Sequence, residues 1–349
     1  MLNSLAIKRF TVFRDECITL SPSLNVIVGE NSMGKSHLLK LAYALIATSA
    51  EQGRKPNAGE PTKAVLQKAY GEKLAGVFKP ESGIGRLVRR KQGQERCEVG
   101  AAFSDAALDT HISFATRSKS DVQVDELPTA WEQQSPLYMP TRELMTIYPN
   151  FVSVYEQHYL EFEETWRDTC LLLGSPLRRG PRPTEMAELM VPVEKALGGR
   201  VELTSGRFYL DIPGVGKLEM PLVAEGHRKL AMLAQLIANG VIQKQGYLFW
   251  DEPEANLNPR LIRLVANVIH QLAAKGVQVF LATHSFFLMK ELELLSKPTP
   301  LVRRYIGLTA DPDDAGGAAV QQADDMTGLT SIVALDEELA QYDRELNGV

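Results

Sequence analysis

Apolar and polar residues alternate in short runs over residues 5–28, as LAIKRFTVF, then CITL, then LNVIV. Alternation with period two predicts an antiparallel strand pair, and the run at 25–28 predicts a buried strand that follows it. Leu38, Leu39, Leu41, Ala42 and Leu45 then recur at helical spacing. Residues 52–61 are polar and carry Gly53, Pro56, Gly59 and Pro61, the composition of a loop. The pattern predicts a strand meander over 84–90, 96–103 and 110–116, with QGQE at 92–95 as its hairpin turn, and a short strand at 137–139 stopped by Pro140.

A helical stretch over 152–173 ends in the Gly/Pro/Arg-rich break LGSPLRRGPRP, and a second helix over 185–197 ends at Gly198-Gly199. VELT and RFYLDI predict two strands, with a third after PGVGK. The final third alternates: helix at 225–239, strand at 247–250, helix at 259–275, strand at 277–282. That order belongs to a doubly wound α/β fold with a mostly parallel core sheet. Residues 311–319 are acidic and small and read as a loose turn, and 329–346 close the chain with a helix. There is no internal repeat and no long heptad run.

With 349 residues, 44% of them apolar and 23% charged, the chain can bury a large core, which argues against disorder. No apolar run reaches the roughly 18 residues of a membrane-spanning helix, and MLNSLAIKRF lacks the form of a signal peptide. Cys17, Cys97 and Cys170 are scattered, with no disulfide framework and no zinc spacing. The expectation is a cytoplasmic protein with no membrane partner and no structural metal. A net charge of −5 gives no global pull toward nucleic acid. Basic residues do cluster locally, at Arg86, Arg89, Arg90, Lys91 and Arg96, and at Arg178, Arg179 and Arg182. These clusters admit two readings, a solvated hairpin and loop or a contact surface for DNA phosphates.

Chemistry concentrates in three places. Gly29-Glu30-Asn31-Ser32-Met33-Gly34-Lys35-Ser36 fits G-x-x-x-x-G-K-[ST] in full, between a predicted strand and a predicted helix. In such a loop, backbone N–H groups and a helix N-terminus face phosphate oxygens, the Lys reaches the β- and γ-phosphates, and the Ser ligates Mg²⁺. Tyr247–Trp250 is an apolar strand that ends in Asp251-Glu252-Pro253. An Asp there reaches the Mg²⁺ shell, and the next Glu can act as general base on water. A third strand leads into Thr283-His284-Ser285, which sets a histidine at the carboxyl end of the sheet. Phe10 and Phe13 read either as an adenine frame or as core. Asp311, Asp313 and Asp314 read as an exposed turn rather than a metal site.

The order GENSMGKS, FWDEPEANLNP, ATHS resembles ABC-type ATPases of the SMC-like branch, as do the opening IKRFTVF…ITLSPSLNVIVGEN and the ending LATHSFFLMKEL. Within that branch the chain is similar to stand-alone AAA-labelled ATPases of the overcoming-lysogenisation-defect and phage-defence type. The resemblance covers both ends well and the middle loosely. It implies an ABC-type P-loop ATPase with an antiparallel β subdomain and a short helical lobe. Its parts are an N-terminal ATPase lobe over 1–136, a helical insertion over 137–200, a C-terminal ATPase lobe over 201–310 and a closing segment over 311–349.

The same resemblance implies the site. Gly29, Asn31, Ser32, Met33, Gly34, Lys35, Ser36 and His37 cradle ATP. Ser36 and Asp251 hold Mg²⁺, with Glu143 (or Arg142) in the place of a usual Gln. Glu252 is the catalytic glutamate, His284 the switch histidine and Lys35 the phosphate lysine. Asn256, with Leu257 and Asn258, lies in the loop that communicates across a dimer. Gly226, in Ala224-Glu225-Gly226-His227-Arg228, stands where a signature segment completes the partner's site. That signature departs from the family pattern, since Ala224 replaces a Ser and Glu225 a Gly. The resemblance therefore implies a homodimer that sandwiches ATP. The space between Pro140 and Val201 is too short for the long coiled-coil arm of the chromosome-structure members. An ATPase without an effector of its own implies a separate effector protein, such as a nuclease, in anti-phage defence. A DNA repair or recombination ATPase is the alternative.

Overall fold

The computed structural model describes residues 1–89, 93–158, 160–177, 184–242 and 244–348. Strands β1 (Leu2–Phe10) and β2 (Phe13–Thr19) form the expected antiparallel pair, and β3 (Leu24–Gly29) follows them. Helices α1 (Lys35–Gly53) and α2 (Lys63–Phe78) come next, then β4 (Arg96–Phe103), β5 (Thr110–Ala115), β6 (Gln123–Glu126) and β7 (Pro136–Met139). The middle holds α3 (Phe151–Gln157), α4 (Glu164–Leu173) and α5 (Thr184–Leu197), then β8 (Arg200–Thr204), β9 (Arg207–Ile212) and β10 (Gly216–Glu219). The last third runs α6 (Glu225–Ala238), β11 (Tyr247–Asp251), α7 (Pro259–Ala274), β12 (Gln278–Thr283), α8 (Phe286–Leu295), β13 (Arg303–Ala310), β14 (Ala318–Ala323) and α9 (Val333–Asn347).

Among the described residues these strands make three sheets. The core sheet has the order β14-β13-β3-β12-β11-β7, parallel except for β14. Its strands read as continuous apolar runs because both faces are covered. Along β11 and β12 successive side chains enter opposite cores: Leu248, Trp250, Val279 and Leu281 on one face, Tyr247, Phe249, Phe280 and Ala282 on the other. The first face carries α6, α7 and α8. The second carries α1 and the antiparallel sheet β2-β1-β4-β5-β6, whose Leu5, Ile7 and Val99 face it. Phe10 and Phe13 are fully buried here, so they are core. The third sheet, β10-β9-β8, is the predicted three-strand set.

The fold departs from the sequence reading in specific places. Residues 84–87 form a 3-10 turn, and only Val88 bridges, to Phe10, so the meander gains β6 in place of a strand at 84–90. The helical stretch 152–173 splits into α3 and α4. Helices α2 and α8 and strands β13 and β14 carried no clear periodic signal. The core sheet draws β3 and β7 from the N-terminal half and its other four strands from residues 247–323, so the two ends of the chain build it jointly.

The basic clusters also resolve in part. Arg90, Lys91, Arg178, Arg179 and Arg182 lie outside the described residues, as does part of the turn at 92–95. Arg96 bonds Ser113 and Gln123 across the sheet. Arg89 binds Asp314 at 2.8 Å and the Gly316 carbonyl at 2.8 Å. Asp314 is thus buried in an ion pair, not part of an exposed acidic turn. Removing one member of such a pair strands the other charge. Arg89→Ala is expected to lower stability by about 3 kcal/mol, read from urea unfolding, and a change within experimental error would remove the pair's structural role.

A second buried charge cluster joins α1, α2 and α4. Lys73 is 4% exposed and its ammonium lies 2.6 Å from Glu51, 2.7 Å from Glu164 and 3.2 Å from Asp168. Tyr43 donates to Asp168 at 2.7 Å, and Lys40 pairs with Glu163. The three acids lie close enough to hold a metal ion, but the Lys73 ammonium already stands among them, and Arg167 pairs with Glu164 and Asp168. Among the described residues no helix is long and apolar enough to cross a membrane.

Candidate nucleotide site

The site forms where β3, β11 and β12 end along one edge of the core sheet. Strand β3 stops at Gly29 and α1 starts at Lys35, leaving residues 30–34 as the loop. Gly34 has φ +89°, and a Cβ there would lie 2.5 Å from Val12 and 3.1 Å from the Phe13 ring, so only glycine fits under the β1–β2 turn. Asn31 and Ser32 are exposed, and Met33 packs on the core. No side chain caps α1, and its first turn carries no acid. Its leading N–H groups therefore face the loop without side-chain partners, an arrangement that favours an anion.

Lys35 is 6% exposed and its Nζ donates to the carbonyls of Gly29 and Glu30, both at 2.8 Å. Burial lowers its pKa, while Glu252, Asp251, Glu254 and Glu30 oppose the shift. Tyr138 donates to the Asp251 carboxylate at 3.5 Å, and the Ser36 side chain acts on the same carboxylate. Burial raises the Asp251 pKa, the Ser36 bond opposes that shift, and Glu252 reinforces it. A hydroxyl beside a carboxylate is a hard oxygen donor set of the kind Mg²⁺ prefers. His37 turns away from the loop and packs edge-on against Phe78 at 5.8 Å; burial lowers its pKa.

Glu252 and His284 face each other across the loop's outer side. His284 Nδ1 lies 3.6 Å from Glu252 Oε1 and 3.6 Å from Glu254 Oε1, and its side chain is 58% exposed. Glu254, which the motif reading passed over, accepts from Thr283 Oγ1 at 2.6 Å and from the His284 N–H at 3.2 Å. It fixes the end of β12 against the end of β11, and its signal is a third acid in DEPE. A cavity of 650 Å³ opens here, bounded by Gly29, Glu30, Asn31, Glu252, His284 and, from the start of α9, Ser331.

The segment at Ala224–Arg228 sits against the loop after β11. A Cβ on Gly226 would lie 2.5 Å from the Asn256 carbonyl, so α6 starts in contact with residues 256–257 of its own chain. Asn256 itself has φ +62°. Ala224 supplies no capping hydroxyl to α6. Lys229, also passed over, is 2% exposed and donates to the carbonyls of Glu252 and Ala255. Its signal is a lysine one turn before Leu233 on the apolar face of α6. Burial lowers its pKa to about 8 against the pull of Glu254, Glu252 and Asp251.

Glu143 takes a different position from the one expected of it. It is 3% exposed; one oxygen accepts from the Met145 and Thr146 N–H groups, and the other accepts from the Thr146 hydroxyl at 2.8 Å and faces Arg228 at 3.1 Å. Both oxygens are engaged with its own turn and with α6, so these contacts tie it to the Gly226 segment and not to Ser36 or Asp251.

Residues 108–290 match the family model described as "AAA domain, putative AbiEii toxin, Type IV TA system". No curated protein matches the chain. Among solved structures it is similar to an Smc head bound to the C-winged helix domain of ScpA, at 15% identity and a TM-score of 0.60, over 94% of this chain and 99% of that one. It is also similar to the Smc head domain with an extended coiled coil bound to the C-terminal domain of ScpA derived from Pyrococcus furiosus, at 13% identity and a TM-score of 0.54, over 99% of each chain. These likenesses show the fold, that of an SMC-like ABC-type ATPase head.

Proposed function

Since the chain belongs to this AAA domain family, we propose that it binds ATP with Mg²⁺, hydrolyses it, and dimerises around it. The observation that carries the reading is the meeting of distant segments: Gly29, Glu30 and Asn31 line one cavity with Glu252 and His284, beside an uncapped helix N-terminus and a buried lysine. Phosphate oxygens replace the Gly29 and Glu30 carbonyls as partners of Lys35, and the N–H groups at the start of α1 take the remaining phosphate charge. Ser36 and Asp251 would hold Mg²⁺, which would supply positive charge against the phosphates. Glu252 accepts the proton of a water whose oxygen attacks the γ-phosphorus, and the bond to the bridging oxygen breaks to leave ADP and phosphate. His284 stands beside Glu252, placed to register the γ-phosphate.

Asn31, Ser32 and His284 stay exposed on the same side, which supports their meeting a second subunit whose Gly226 and Asn256 complete the site. The assignment of residues 1–136, 137–200, 201–310 and 311–349 to lobes is part of this reading. We also propose that the dimer governs a separate effector protein, such as a nuclease, in anti-phage defence. The support is the toxin named in the family's description. Direct DNA binding is less favoured, because Arg89 and Arg96 are held by partners within the fold while Arg86 alone of the described cluster is exposed.

The test is phosphate release by the wild-type chain. Turnover is expected with ATP and Mg²⁺, and chelation of the Mg²⁺ should abolish it. ATP binding with no turnover in Mg²⁺ would sink the hydrolytic reading and trace to Ala224 and Glu225 in the signature.

A further inference from the structure

Glu252 has φ +46°, in the left-handed region that non-glycine residues hold only when their surroundings fix them. Two contacts with other elements fix it, beside the bond that its carbonyl accepts from the Ala255 N–H at 3.1 Å within the loop. Its N–H donates to the Ala282 carbonyl at 2.9 Å, and its own carbonyl accepts from the Lys229 ammonium. The same ammonium reaches the Ala255 carbonyl at 3.4 Å. A lysine that is 2% exposed is costly unless its charge and its donors find partners, and here those partners are the backbone of one loop. Lys229 also lies three positions after Gly226, whose backbone touches Asn256 at the far end of that loop.

We infer that Lys229 is a positioning residue for ATP hydrolysis. By holding the carbonyls of Glu252 and Ala255, it sets the Glu252 carboxylate for proton abstraction and couples the Gly226 segment to it. The inference rests on the reading of Glu252 as the general base. Lys229 does not touch the phosphates, so its loss acts through Glu252. A displacement of about 1 Å at a reacting group is enough to slow turnover about 100-fold.

The experiment compares Lys229→Met, Glu252→Gln and the double variant in the full chain. ATP affinity is measured by equilibrium binding and turnover by single-turnover phosphate release. For Lys229→Met, turnover is expected to fall about 100-fold while the ATP Kd stays within about threefold. The double variant should be no slower than Glu252→Gln alone, because the two residues act as one unit. Lys229→Gln keeps a donor near the same place and should recover about a tenfold part of the loss. Wild-type turnover in Lys229→Met, an additive loss in the double variant, or a loss of ATP binding in step with turnover would each overturn the inference. Full turnover in Glu252→Gln would instead overturn the base reading itself, and the Lys229 inference with it.

Discussion

Glu252→Gln is expected to bind ATP as tightly as the wild type and to fail to turn it over, with hydrolysis slowed about 1,000-fold, in the range that a general base contributes. The substitution keeps the shape of the side chain and the contact with His284 but removes the proton acceptor. The left-handed backbone at φ +46° and its two anchoring bonds involve main-chain atoms, so they survive the change. Loss of a carboxylate also removes one negative charge from the surface that meets the γ-phosphate. ATP should therefore hold the two subunits together rather than escape as product. Light scattering with ATP and Mg²⁺ is expected to show a dimer that persists in the variant and turns over in the wild type. A variant that remains monomeric under those conditions would end the sandwich reading, while the P-loop chemistry would stand on its own.

Lys35→Ala is expected to raise the Kd for ATP about 100-fold. The ammonium lies on the Gly29 and Glu30 carbonyls at the loop, and a hydrogen bond to a charged group is worth about 3 kcal/mol at its strongest, or roughly 100-fold in affinity. Alanine suits the first turn of a helix, so α1 should form as before. The thermal midpoint without nucleotide then serves as the control. A variant that melts like the wild type yet binds ATP normally would show that the Gly29–Ser36 loop is not the phosphate site.

The central fold was legible in the chain because its strands are buried on both faces and its helices are long and periodic. YLFW and VQVFLA read as strands, and the helices at 225–239 and 259–275 read as their crossovers; the structure places all four within a residue or two. Asp251 and Glu252 lie at the end of the first of those strands, and Lys35 opens α1 beyond the end of β3; all three follow from the same logic. What sequence reading missed depends on long-range partners. Helix α2 has almost no amphipathic contrast, and β13 and β14 are recognisable only once β3 is there to receive them. Lys229 and Glu254 resemble surface residues until α6 and the loop after β11 enclose them. Glu143 had a plausible sequence position for a metal ligand, yet its oxygens close a local turn and face Arg228. Spacing along a chain cannot register which way a carboxylate turns.

The Lys73 cluster gives the molecule a stiff joint between α1, which starts at the phosphate loop, and α4, in the central helical region. Glu51 of α1 and Glu164 and Asp168 of α4 meet the buried Lys73 of α2, and Tyr43 of α1 donates to Asp168. Sliding one helix past another would leave an ammonium or a carboxylate without its counter-ion, a penalty of several kcal/mol for each buried ion. Packed elements held in that way move as a unit or jump between discrete arrangements; they do not creep. A shift at the start of α1 is thus expected to carry α4 with it rather than be absorbed between the two helices.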